Sequence, residues 1–168
     1  MLRRRLLGLS ALMLFRSAAR ALEAPQGPVI LTVSGRLRTP NRDSQAAFDM
    51  GMLERMPQAS IHTKTPWYPQ ARRFTGPLLR DVLALAGGQL GSTSKLRVTA
   101  LNDYVVEIPG DDVQRFDLVL ARLLDDKPMP VRDKGPLFIV YPFHIHPELR
   151  NAVYYSRCAW QLKSIEIA

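Results

Sequence analysis

The sequence predicts an α+β fold in a single mixed domain, on three observations. The chain has 168 residues, which is enough for one domain with a real core and too few for two ordinary domains. No internal repeat, low-complexity tract or linker interrupts residues 25–168. Predicted strands and helices alternate only at the start, and mostly strands follow. This order favours an α+β domain over a doubly wound sheet.

The first strands and helices follow from hydrophobic spacing. The β-branched stretch 29–35 predicts a strand that ends at a glycine. Apolar residues then recur at helical spacing over 46–56, which predicts a helix that Pro57 ends. Alternating residues over 59–65 predict a second strand. The stretch 76–88 has a proline near its start and two glycines at its end, which predicts a second helix.

The rest of the chain is predicted to contain mostly strands. Two strands surround a tight turn at Asn102 and Asp103, and a helical turn follows at 111–116. A later strand runs into a turn at 125–127. The predicted strands of this part lie in the stretches 95–102, 103–110, 116–131, 137–141 and 158–168.

The first 24 residues have the pattern of an export signal. Three arginines at 3–5 precede an apolar run over 6–15, and small residues offer cleavage after Ala21 or Ala24. The apolar run is too short to span a bilayer, so a permanent anchor is the weaker interpretation. The arginines also faintly resemble a twin-arginine signal, although ordinary secretion is the first choice. We therefore expect a signal peptide at 1–24 and a mature domain at 25–168.

The charge pattern argues against a nucleic-acid partner. The whole chain carries a net charge of +8, but from Pro25 onward 18 lysines and arginines face 14 aspartates and glutamates. The mature domain is thus only slightly basic, its charges are interspersed, and it has no basic run with interleaved aromatic residues. We expect no nucleic-acid binding.

No group of residues has the spacing of a metal site or a catalytic centre. His144 and His146 are two residues apart, which in an extended loop points them to opposite sides, so an exposed loop is expected. Cys158 is the only cysteine, so an internal disulfide is impossible and a small buried core residue is expected. The acidic pairs 111–112 and 125–126 are predicted to cap backbone amides at turns.

Flat aromatic residues stand beside polar ones at the ends of predicted elements. Rim packing is one interpretation, because aromatic rings bury area while keeping one polar atom wet. The other is a pocket that stacks a planar ring and binds its edge with Asn, Ser and Arg donors. Composition leaves both open. The residues concerned are Trp67, Tyr68, Tyr104, Tyr141, Tyr154, Tyr155, Ser156, Arg157 and Trp160.

Four segments resemble the molybdopterin-binding domain of sulfite oxidase and its bacterial relatives in order and spacing. They read TPWYPQARRFTGPLLRDVL at 65–83, TALNDYVVEIP at 99–109, RLLDDKPMPVRDKGPLFIVYP at 122–142 and SRCAWQLKSIEI at 156–167. The resemblance covers about residues 29–168 and implies the mixed α+β fold of that family.

The chain departs from the family pattern at the positions that hold the cofactor. Family enzymes ligate molybdenum with a cysteine before the segment at 65–83, and residues 25–76 contain no cysteine. The resemblance also places Phe138 and Ala159 where an Arg and a Lys of the family bind the cofactor's phosphate. Arg132 and Lys134 are the candidates to substitute for them. These departures favour ligand binding without redox chemistry, so no catalytic residue is expected.

The chain resembles in particular short exported members of the family, some of which bind a pterin without metal and report it to a membrane enzyme of cyclic di-GMP turnover. This implies a periplasmic protein whose ligand is a metal-free pterin. It also implies a partner, the periplasmic sensor region of an inner-membrane cyclic di-GMP enzyme. Two alternatives remain: a molybdopterin oxidoreductase with an atypical cofactor site, and a structural protein with a filled pocket. The oligomeric state stays open.

The resemblance also marks candidate pterin-binding residues. Trp67 or Tyr155 would stack on the bicyclic ring. The ring's amide-and-amine edge needs paired donors and acceptors, for which four polar residues are candidates. They are Asn102, Asp103, Ser156 and Arg157. The other candidates near the ligand are Tyr104, Arg132, Lys134, Tyr141 and Trp160.

Overall fold

A computed structural model describes residues 22–91 and 93–168. Of the predicted export signal, residues 1–21 lie outside the described residues. Within the described ranges, no helix has the length and apolar character needed to cross a membrane.

The described residues contain eleven strands and four short α-helices. The strands are β1 (Val29–Gly35), β2 (Ala46–Asp49), β3 (Ala59–Thr65), β4 (Tyr68–Gly76), β5 (Lys95–Ala100), β6 (Val105–Pro109), β7 (Val119–Ala121), β8 (Leu123–Leu124), β9 (Lys127–Pro128), β10 (Phe138–Val140) and β11 (Leu162–Ile167). The helices are α1 (Met50–Arg55), α2 (Leu79–Leu85), α3 (Gly110–Arg115) and α4 (Ala152–Arg157). Short 3₁₀ turns occupy Val131–Asp133 and Pro147–Leu149.

The strands form three sheets, of which the largest is mixed and the other two are antiparallel. The largest has the order β2-β1-β11-β5-β6, in which β1 and β11 are parallel and the other neighbours are antiparallel. A second sheet has the order β3-β4-β8-β9, and β10 pairs with β7 in a third. This arrangement confirms the predicted α+β class, since a doubly wound fold requires a mainly parallel sheet.

The core is built from the apolar faces that the sequence pattern predicts. Leu31 and Val33 of β1 are fully buried, and so is every residue of β10. Helix α2 buries Leu79, Val82 and Leu83 on one face, as their spacing indicates. Each fully buried large apolar side chain contributes about 1.5–3 kcal/mol relative to its exposed state.

The predicted helix over 46–56 is correct only in its second half. Residues Ala46–Asp49 form strand β2, which pairs antiparallel with β1 and is buried along its whole length. Burial on both faces explains the apolar run that resembled a helix, because periodicity alone does not separate a buried strand from a helix. The helix itself begins at Met50, after Asp49 as N-cap. Strand β4 was not predicted either.

Asp49 stabilises this part of the fold through three backbone amides. Its Oδ1 accepts from Met52 N at 2.8 Å, and its Oδ2 accepts from Gln26 N at 2.7 Å and Gly27 N at 2.8 Å. The amide of Gly27, then those of Met52 and Gln26, hold the pKa of the Asp49 carboxyl below its usual value despite burial. The carboxylate therefore ties the segment before β1 to the start of α1.

We expect Asp49→Ala to lower the free energy of unfolding at pH 7 by about 2 kcal/mol, as for the loss of a strong N-cap. Because the folded-state pKa is depressed, the stabilisation is present above the unfolded pKa of about 3.9 and is lost as pH falls through the folded pKa. Urea titrations from pH 7 to pH 3 should show the wild type and the variant converging. Asp49→Asn keeps one acceptor and should lose less. A difference that stays constant with pH would contradict this account.

Candidate functional site

A cavity of about 490 Å³ opens where three connections of the chain meet. Its walls come from the β3–β4 turn, the β5–β6 turn, and helix α4 with the residues before β11. The volume lies within the range of about 300–1,000 Å³ that is usual for small-ligand sites. We call this space the aromatic cavity. The lining includes Trp67, Asn102, Tyr104, Tyr155, Ser156 and Trp160.

Edge-to-face aromatic packing holds the walls of the aromatic cavity. The ring centre of Trp67 lies 5.3 Å from that of Trp160, 5.4 Å from that of Phe138 and 6.2 Å from that of Tyr155. The planes in these pairs are inclined by 65–80°. Such packing fixes each ring plane and contributes about 0.5–1.5 kcal/mol per pair beyond buried area. Trp67 therefore occupies the centre of the cluster.

The polar groups of the cavity are held in place by short-range hydrogen bonds. The Asn102 Oδ1 accepts from the backbone N–H of Tyr104 at 3.2 Å, an Asx-type turn that leaves the amide NH₂ for other partners. The Ser156 hydroxyl donates to the carbonyl of Val153 at 2.7 Å, so its lone pairs can still accept. Among the described residues that line the cavity, none is charged. The cavity thus suits an uncharged planar ring.

Six of the eleven predicted site residues therefore line one cavity. Sequence reasoning missed the other lining residues, which are small or apolar and carry no chemical signal. They are Pro66, Ala100, Ala152, Cys158 and Ala159. Two of these, Pro66 and Ala159, directly precede a predicted aromatic residue, which was the available signal.

Three predicted site residues lie outside the aromatic cavity, on exposed or neighbouring surfaces. Asp103 forms an ion pair with Lys163. Arg132 is exposed and its Nε lies 3.7 Å from the adjacent aspartate. The Nζ of Lys134 is 4.5 Å from the ring centre of Trp160. Lys134 thus makes a cation–π contact with a wall of the cavity and does not line the cavity itself.

Tyr141 and Arg157, the other two predicted residues, converge on a buried carboxylate. The Asp112 Oδ2 accepts from Tyr141 Oη and from Arg157 Nη1, each at 2.7 Å. Tyr141 is fully buried and Asp112 is 6% exposed. Burial, followed by the hydrogen bond to the carboxylate, raises the pKa of Tyr141 above its usual value. We call these three residues the Asp112 cluster.

The Asp112 cluster corrects the interpretation of the pair 111–112 as turn caps. Asp111 is exposed and pairs with Arg115, whereas Asp112 joins α3 to the residue after β10 and to the end of α4. Helix α4 carries Tyr155 and Ser156 into the aromatic cavity, so the cluster positions that wall. The sequence did not predict α4, although Asn151 is an N-cap whose Oδ1 accepts from Val153 N at 3.0 Å.

Cys158 lies in the wall of the cavity as a buried thiol, as predicted. It is 3% exposed, and its Sγ donates to the Tyr154 carbonyl at 3.5 Å. Burial raises the pKa of the Cys158 thiol to about 12. We expect iodoacetamide at pH 8 to leave the native protein unmodified over a period in which urea-unfolded protein reacts completely, because only the thiolate is nucleophilic. Mass spectrometry measures the alkylated fraction of the native and the unfolded protein. Rapid modification of the native protein would contradict the buried placement of Cys158.

No family model matches the sequence, and no curated protein matches it. Among solved structures, the chain is similar to the sulfane dehydrogenase SoxCD from Paracoccus pantotrophus, with a TM-score of 0.57 over 82% of this chain at 15% sequence identity. The chain spans 37% of the length of that SoxCD chain. The likeness supports the predicted sulfite-oxidase-type α+β fold, and at this identity it shows the fold alone.

The residues at this site do not fit the molybdenum cofactor that the fold family implies. Among the described residues, no group of three or more His, Cys, Asp or Glu side chains is placed to hold a metal ion. Burial raises the pKa of the Cys158 thiol to about 12, and the thiol donates a hydrogen bond to the Tyr154 carbonyl. Phe138, which the sequence resemblance matches to a phosphate-binding Arg of that family, is fully buried against Trp67 and Trp160. The donor set therefore lacks an available thiolate and a cation at that position.

Proposed function

We propose that this chain is a non-catalytic binding protein that holds a metal-free pterin in the aromatic cavity. The observation that carries the proposal is an uncharged cavity, walled by Trp67, Tyr155 and Trp160, on a fold of the sulfite-oxidase type. Each of these three side chains lines the cavity and is therefore available for contact with a planar ligand. A neutral bicyclic ring matches such walls better than a metal complex does.

The edge of a pterin also matches the polar groups of the cavity. That edge carries an amide and an amine, which together need donors and acceptors. The Asn102 amide NH₂ supplies donors, and the Ser156 oxygen accepts. Stacking with a few hydrogen bonds supports an affinity in the micromolar range, which corresponds to about 8 kcal/mol.

Analysis of the protein purified from its native host tests the proposal against the oxidoreductase alternative. We expect a pterin to be found by mass spectrometry, at a molar ratio that falls in Trp67→Ala. Molybdenum at one atom per chain by elemental analysis would contradict the proposal and favour a molybdopterin enzyme.

We further propose that the protein acts in the periplasm and relays pterin occupancy to a membrane enzyme of cyclic di-GMP turnover. The basic and apolar pattern of residues 1–24 and the resemblance to short exported binding proteins support this proposal. Deleting the gene should change the cellular cyclic di-GMP level, and Trp67→Ala should reproduce that change. A normal level in the Trp67→Ala strain, with the protein present and pterin-free, would contradict the relay.

A further inference from the structure

A second pocket of about 510 Å³ adjoins the aromatic cavity. Pro66 and Tyr155 line both, so the two spaces share a wall. We call the second space the basic pocket. Its other lining residues include His62, Thr63, Lys64, Thr65, His144 and Arg150.

The positive charges of the basic pocket are not balanced. No acidic residue of the described chain lines the pocket, and neither Lys64 nor Arg150 has an ion-pair partner within the described ranges. The Arg150 Nε donates to the carbonyl of Phe143 at 2.8 Å, which fixes the guanidinium. Its terminal nitrogens are left for a further acceptor, and a guanidinium fork matches an oxyanion in geometry.

Thr65 adds a polar group that lacks a partner. It is 8% exposed, and its Oγ1 is the one buried side-chain oxygen or nitrogen in the described part of the chain without a hydrogen bond. Such a group is unfavourable until a partner satisfies it. Because Thr65 lines the basic pocket, a ligand oxygen bound there is a candidate partner for this hydroxyl. Its neighbour Thr63, 3% exposed, donates only a long bond of 3.3 Å to the Lys64 carbonyl.

The backbone of β3 provides further donors. Strand β3 lies at the edge of the sheet β3-β4-β8-β9, so one side of its backbone lies outside the ladder. Five consecutive residues, 62–66, line the basic pocket, which therefore runs along this edge. Two cations and an unpartnered hydroxyl line the pocket, and the unpaired side of an edge strand adds backbone N–H groups beside its C=O groups. The cations and the hydroxyl favour an anion as the occupant.

We propose that the basic pocket binds an oxyanion, a phosphate ester or a carboxylate, carried on the ring ligand of the aromatic cavity. The two spaces adjoin at Pro66 and Tyr155, so a ligand stacked in the aromatic cavity needs to extend only past these two residues to reach the basic pocket. This inference rests on the proposed function, and it assigns the anion to residues other than Arg132 and Lys134. The ligand class becomes a pterin with an anionic side chain.

Calorimetry with three probes tests the inference on the purified protein. The probes are dihydroneopterin, dihydroneopterin monophosphate and inorganic phosphate. We expect the phosphate ester to bind at least tenfold more tightly than dihydroneopterin. In Lys64→Ala/Arg150→Ala this preference should disappear while the affinity for dihydroneopterin stays the same. The matched control Lys127→Ala/Arg97→Ala removes two exposed cations that line neither pocket, and it should keep the preference.

The results with the three probes distinguish failure of this inference from failure of the proposed function. Equal binding of the two pterins, or a preference that survives Lys64→Ala/Arg150→Ala, overturns the anion assignment and leaves pterin binding intact. Binding of inorganic phosphate alone, abolished in that variant, overturns pterin binding and the ligand-borne anion, and leaves a site for free phosphate. Binding of none of the three probes overturns both proposals.

Discussion

Replacing Asp112 with alanine is expected to lower the free energy of unfolding by about 3–5 kcal/mol, the range for breaking a buried charge pair from one side. Its carboxylate accepts from Tyr141 and Arg157 in the interior. Removing it leaves a fully buried hydroxyl and a largely buried guanidinium without their partner. Each of these groups lost its contacts with water on folding. Without Asp112, neither group keeps the hydrogen bond that offset this desolvation cost.

Urea denaturation of Asp112→Ala beside Asp111→Ala measures this effect against a matched control. Asp111 is the preceding residue, but its side chain is 53% exposed and pairs with Arg115 within the same helix. Its replacement should cost no more than about 0.5 kcal/mol. Similar losses in the two variants would show that the Asp112 cluster does not anchor α4.

Replacing Trp67 with alanine is expected to weaken pterin binding by about 10–100-fold. Aromatic stacking on a nucleobase is worth about 1–3 kcal/mol by alanine substitution, and a pterin has a comparable ring. Trp67 is also packed against Phe138, Tyr155 and Trp160, so its loss removes a wall and loosens its neighbours. Both effects act on the same cavity.

Two variants separate stacking from loss of structure. Trp67→Phe keeps an aromatic face and should lose much less affinity than Trp67→Ala. Tyr68→Ala removes the next aromatic residue, which packs on Phe74 and does not line the cavity, and it should bind normally. Circular dichroism checks that each variant is folded. Wild-type affinity in folded Trp67→Ala would exclude Trp67 from the site.

The sequence predicted those strands and helices in which the spacing of apolar residues matches the face that is buried. Strand β3 alternates buried and exposed residues, and α2 buries one face, so period alone identifies them. Strand β2 is buried on both faces and resembles the helix that follows it. Strand β4 carries Pro69 and two arginines, and it is stabilised by pairing with β3 and β8, which a local pattern does not contain.

The sequence predicted the site residues whose side-chain type indicates their chemistry. It did not predict the residues whose role depends on tertiary packing. Trp67, Asn102 and Tyr155 are flat or polar groups at element ends, and they do line the cavity. Tyr141 has the same character in sequence, but its hydroxyl is used inside the protein by Asp112, which is distant in the chain. Only the fold brings those two residues together.

Isothermal titration calorimetry of the purified protein with a reduced pterin such as dihydroneopterin measures whether the aromatic cavity is a pterin site. We expect saturable binding of one molecule per chain in the micromolar range, weakened at least tenfold in Trp67→Ala and unchanged in Tyr68→Ala. Protein with a native circular dichroism spectrum that shows no saturable heat would contradict the assignment of the aromatic cavity as a pterin site.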